Sequence, residues 1–104
     1  MKTTIIATLT LVASAGLSWS AAAEGKEVYT AKCAPCHGSN GEGKAAIAKM
    51  YNVTMPPLAS KEVQAKTDDQ LKQVIVKGQG KMKPVSGVTE KQAADVVAFV
   101  RTLK

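Results

Sequence analysis

The chain has 104 residues and a formal net charge of +6, enough for one small domain. With one Trp, two Tyr and one Phe, it has little bulk for a core of its own, which points to a staple, metal or cofactor. The basic excess is nearly all lysine and is scattered. That suits a solvated surface or transient docking to an acidic partner, and argues against a nucleic-acid footprint.

Residues 1–23 have the anatomy of a secretory signal peptide. Met1-Lys2 is a short positive start, an apolar run follows through Leu17, and Ala21-Ala22-Ala23 offers a cleavage site. A membrane anchor would want roughly 20 apolar residues, more than this run provides. Cleavage after Ala23 leaves residues 24–104 as the domain and removes Lys2 and Trp19.

Residues 24–32 read as a short helix with Gly25, Val28 and Tyr29 on one face. It runs into Cys33-Ala34-Pro35-Cys36-His37, and a glycine-rich turn follows at residues 38–43. Residues 44–50 can hold a helical turn. Residues 51–59 are irregular, because Pro56-Pro57 denies two backbone donors and holds Met55 extended. Residues 60–66 predict a short helix capped by Ser60. Thr67-Asp68-Asp69-Gln70 is a capping box for a helix with Leu71, Val74 and Ile75 on its apolar face, stopped by Gly78. A loop spans residues 78–88. Thr89-Glu90-Lys91-Gln92 is a second capping box, opening the strongest helix at residues 90–103. Its buried stripe is Ala93, Val96, Val97, Val100 and Leu103, with Phe99 at the edge. No stretch alternates as a strand does. The fold class is all-α with long irregular connections.

The two cysteines and the one histidine of the chain stand together as C-x-x-C-H. This spacing lets two thiols add across the vinyl groups of a haem while the following imidazole reaches the iron. A redox dithiol wants a strand-rich setting that the chain lacks. Structural zinc wants four ligands and finds two Cys and one His. A disulfide here closes a tiny loop and stabilises little. Covalent haem is the reading we take.

An electron-transfer haem needs a second strong ligand, and with one histidine spent a methionine is the natural choice. Met82 lies in Gly78-Gln79-Gly80-Lys81-Met82-Lys83-Pro84, a loop that can lie against the second haem face. Met55, beside Pro56, is close to His37 in sequence and would have to cross to that face. Met50 is a third candidate, and each methionine also reads as a core gap-filler.

Residues 24–104 resemble class I cytochrome c, the small monohaem family, along essentially their whole length. The resemblance is carried by Gly25 and Tyr29, by Cys33-Ala34-Pro35-Cys36-His37-Gly38, by Pro56-Pro57-Leu58, by Met82 in its glycine loop and by Phe99-Val100-Arg101-Thr102-Leu103. It implies about four short helices and long loops wrapped around one covalent haem c, with the first and last helices crossing. Gly25 would permit their close approach, and Tyr29 would meet Val96 and Phe99. The Pro56 carbonyl would accept from the His37 ring N–H, fixing the imidazole, and Leu58 would pack on the haem. One departure is visible: the family's methionine is followed directly by proline, and here Lys83 intervenes before Pro84.

The expected function is one-electron transfer in the periplasm, with no substrate turnover. The haem is anchored by Cys33 and Cys36 and ligated by His37 and Met82. The expected partners are redox proteins with acidic docking surfaces, and the chain is expected to be a monomer without stable membrane insertion after cleavage. Lys32, Lys44, Lys81 and Lys83 are candidates for the docking rim. The alternatives are a haem relay subunit of a larger complex, or a ligand-binding or peroxidatic haem protein with an open iron site.

Overall fold

The computed structural model describes residues 20–104. The expected leader, residues 1–23, lies outside them except for its last four residues. Helix α1 is Ala21–Lys32, starting before the expected residue 24 because Ser20 caps it: the Ser20 hydroxyl accepts from the Ala23 N–H at 3.2 Å. Cys33 ends α1 and begins α2, Ala34–His37, a single turn with Pro35 near its start. The motif therefore opens a helical turn as well as closing one. Helix α3 is Ala45–Tyr51 and α4 is Lys61–Gln64. Helix α5 is Asp68–Lys77 and α6 is Glu90–Val100, with a 3-10 turn, Arg101–Leu103, completing the chain's last helical stretch. The helical segments outnumber the four expected, because α2 and α4 are single turns. No strand occurs among the described residues; Gln79 and Met82 form an isolated antiparallel bridge.

The caps follow the local sequence. Ser60 accepts from Val63 N–H, and both expected capping boxes are complete, Thr67 with Gln70 and Thr89 with Gln92. Each pairing satisfies donors that the first turn leaves open.

The core is built chiefly by α1 on α6, with α5 packed on α6. Tyr29, Cys33, Ile75, Ala93, Val96, Val97, Phe99 and Val100 form one buried cluster. Phe99 is buried, not marginal, because the ring of Tyr29 lies 5.0 Å away, tilted by 52°. Leu103, expected in the stripe, is only partly buried, since the switch to the tighter 3-10 turn shifts its register. Gly25 lies directly against the Asp95 backbone, so the two helices meet main chain to main chain there.

Two polar ties hold this frame. Lys91 reaches the carboxylates of Glu24 and Asp95, each at 2.9 Å, joining α1 to α6. Arg101 binds the turn between α4 and α5: Nε to Asp68 at 3.0 Å, Nη1 to the Gln64 carbonyl at 2.8 Å and Nη2 to the Lys66 carbonyl at 2.5 Å. The planar guanidinium suits this, since it presents several donors in fixed directions.

Candidate functional site

A cavity of about 810 Å³ opens between α2, α5 and the connecting loops. Cys33, Cys36 and His37 line it from the motif, and Leu71, Val74 and Ile75 from the apolar face of α5. Met55, Pro56 and Leu58 line it from the proline segment, and Met82 from the glycine loop. Its size falls in the range of cofactor pockets.

Local hydrogen bonds fix the motif wall. Cys36 and His37 N–H donate to the Cys33 carbonyl at 3.2 and 2.9 Å, and the Tyr29 hydroxyl donates to the Gly38 carbonyl at 2.5 Å. The chain then folds back: Gly43 N–H donates to the His37 carbonyl at 2.7 Å, and Leu58 N–H to the Gly41 carbonyl at 2.8 Å. Met55 is drawn into this wall, its carbonyl oxygen 2.9 Å from where a Gly43 side chain would begin. The glycine loop is secured separately. Gln79 and Met82 exchange backbone bonds at 2.8 and 2.9 Å, and Val85 N–H donates to the Ile75 carbonyl at 2.9 Å.

The chemistry of the wall bears on the alternatives. Burial, with Cys36 adding, pushes the Cys33 thiol up to about 11. A redox dithiol needs the opposite, a thiol easily ionised. The two cysteines are unpaired, and among the described residues no group of three His, Cys, Asp or Glu is placed to hold an ion. Burial also lowers the pKa of His37, favouring the neutral imidazole whose lone pair a metal requires.

A family described as cytochrome c oxidase, cbb3-type, subunit III, matches residues 20–100. The chain belongs to this family of cytochrome c domains. Cytochrome c-555 of Methylococcus capsulatus is 32% identical to it over 90 residues, 81% of this chain and 66% of that protein. Cytochrome c-554(547) of Halothiobacillus neapolitanus is 30% identical over 91 residues, 80% of this chain and 97% of that protein. The solved structure of the c-type cytochrome KustC0563 superposes with a TM-score of 0.67 at 25% identity, covering 77% of this chain and 96% of that one.

The cofactor of this cytochrome is covalently attached haem c, and its fold is the all-α cytochrome c fold. The cavity fits such a group. It is lined largely by apolar side chains, two thiols and an imidazole stand on one wall, and the imidazole Nδ1 is buried without a hydrogen-bond partner. The bond expected from the Pro56 carbonyl to that ring is therefore not made, although Pro56 lines the same cavity.

Met50, one of the three methionines weighed, is 68% exposed and is not part of the cavity wall. Sequence reasoning missed Tyr51, Val53, Lys66 and Val85 as lining residues. All lie in or beside irregular segments, where no periodicity marks an inward face. Of the lysines named for the rim, Lys32, Lys81 and Lys83 line the cavity, joined by Lys66; Lys44 does not line it.

Proposed function

We propose that this cytochrome is a one-electron carrier of the periplasm in which Cys33 and Cys36 hold the haem through thioethers and His37 and Met82 are the axial ligands. The observation that carries the proposal is that one cavity gathers these four side chains from two distant segments. When bound, the haem supplies an iron that takes up and releases one electron. The neutral His37 imidazole offers it a nitrogen. Met82 offers a soft sulfur, which favours the reduced metal and raises the potential. The apolar face of α5 excludes water and acts in the same direction.

Met82 is favoured over Met55 by attachment. Met55 packs on Gly43, which is bonded to the His37 carbonyl, so it belongs to the histidine wall. Met82 hangs from the end of α5 and can face His37 from elsewhere. Periplasmic location rests on the leader-like residues 1–23, and mass measurement of the native protein tests their removal.

A second reading, a haem subunit fixed in a larger oxidoreductase, is favoured by the subunit description of the matching family. Native purification separates the two: a carrier leaves the membrane fraction alone, and a subunit stays with its complex.

The optical spectrum tests the ligation. The ferric protein is expected to show the weak far-red methionine-to-iron band. Met82→Ala abolishes it and Met55→Ala keeps it. A high-spin wild-type spectrum without the band would overturn the carrier reading in favour of an open iron site. A haem that separates from the denatured chain would remove the thioether assignment.

A further inference from the structure

The large apolar side chains left uncovered among the described residues are neighbours in sequence, Met50 at 68% exposure and Tyr51 at 47%. They close α3, and the end of that helix is held firmly. Asn52 takes a left-handed conformation with φ 51°, its N–H bonds to the Ala48 and Lys49 carbonyls, and Val53 N–H reaches Ala48 at 3.0 Å. Tyr51 also lines the cavity, together with Ile47 and Val53, so the uncovered pair stands at the cavity's edge.

Charge is distributed unevenly around it. Four lysines line the cavity, Lys32, Lys66, Lys81 and Lys83, against one acid, Glu62. Lys49 directly precedes the pair and is exposed, while Lys44 caps the opposite end of α3. Several acids elsewhere are occupied: Glu24 and Asp95 by Lys91, Asp68 by Arg101 and Asp69 by Lys72. The cavity wall thus carries more positive than negative side chains, and the uncovered pair adjoins it through Tyr51.

We propose, building on the reading of the chain as an electron carrier, that Met50 and Tyr51 are the apolar centre of its docking surface. The occupant is a redox protein presenting an apolar spot ringed by carboxylates. The lysines steer the encounter and set its orientation, while the Met50–Tyr51 pair excludes water and brings the cavity edge close to the partner. A second copy of the chain fits poorly, because it would set one lysine rim against another. A lipid surface fits poorly too: α3 is a seven-residue helix, and two side chains give little area to insert.

Film voltammetry of the haem-bearing protein tests this on gold coated with carboxylate-terminated thiols, alone or mixed with methyl-terminated ones. The wild type should exchange electrons about tenfold faster on the mixed surface. Met50→Gln, at a residue outside the cavity wall, should lose most of that gain and match the wild type on carboxylate alone. Met50→Leu should keep it. A Met50→Gln variant that retains the full gain would sink the proposal. So would loss of binding to anionic lipid vesicles, or of a dimer in sedimentation, with electrode rates unchanged. A wild type without a reversible wave defeats the carrier reading itself, whereas a reversible wave with rates blind to Met50 defeats the docking surface alone.

Discussion

Gly25 lies so close to the backbone of Asp95 that even one added methyl group would overlap the Asp95 carbonyl. The obstacle is main chain on both sides, which no rotamer change can relieve. Gly25→Ala should therefore force α1 away from α6 and cost about 3 kcal/mol, at the upper end for overpacking. Guanidinium unfolding of the haem-bearing protein checks this through a lower midpoint. An unchanged midpoint would mean that α1 and α6 do not meet here in solution.

Tyr29 carries a hydroxyl that donates to Gly38 at 2.5 Å, tying α1 to the residue after His37. Tyr29→Phe leaves that carbonyl without this donor and should cost about 1–2 kcal/mol. Burial, chiefly, raises the phenol to about 12. Raised above its ordinary value of about 10, the group contributes stability that is complete below that value and lost as pH rises toward 12. The stability of the wild type should therefore fall between pH 10 and 12 more steeply than that of Tyr29→Phe. Parallel curves would contradict it.

Arg101 spends its donors on Asp68 and on the Gln64 and Lys66 carbonyls. Arg101→Lys keeps the charge and loses the fork, so it should still destabilise by about 1–3 kcal/mol. The loss should concentrate in α4 and the turn that joins it to α5, which carry the cavity-lining Val63 and Lys66. Faster amide exchange there, with α1 and α6 unchanged, is the expected pattern; uniform acceleration would assign Arg101 a merely global role.

Glu62 is the one acid among the residues lining the cavity. A carboxylate near the haem favours the more positive, oxidised state. Glu62→Gln should raise the reduction potential at pH 7, and Lys66→Gln should lower it. Potentiometric titration checks both signs, and the pair should respond less at high salt, because Glu62 is exposed.

What the sequence determined by itself was whatever depends on near neighbours. The Thr67 and Thr89 caps act across three residues, and the C-x-x-C-H spacing places two thiols and an imidazole on one turn. The apolar face of α5, Leu71, Val74 and Ile75, follows from its period, and the structure turns that face to the cavity. Only the tertiary structure decided matters that rest on partners far along the chain. Lys91 spans from α6 to Glu24 on α1, whereas the meeting of Tyr29 with Phe99 was already implied by the family resemblance. Arg101 has its ligands in a turn more than thirty residues earlier. Met55 is fastened to the histidine wall by its packing on Gly43, while Met82 hangs from α5. Local pattern fixes which face of a helix is apolar; long-range packing fixes what that face meets, and so which side chains share the cavity with His37.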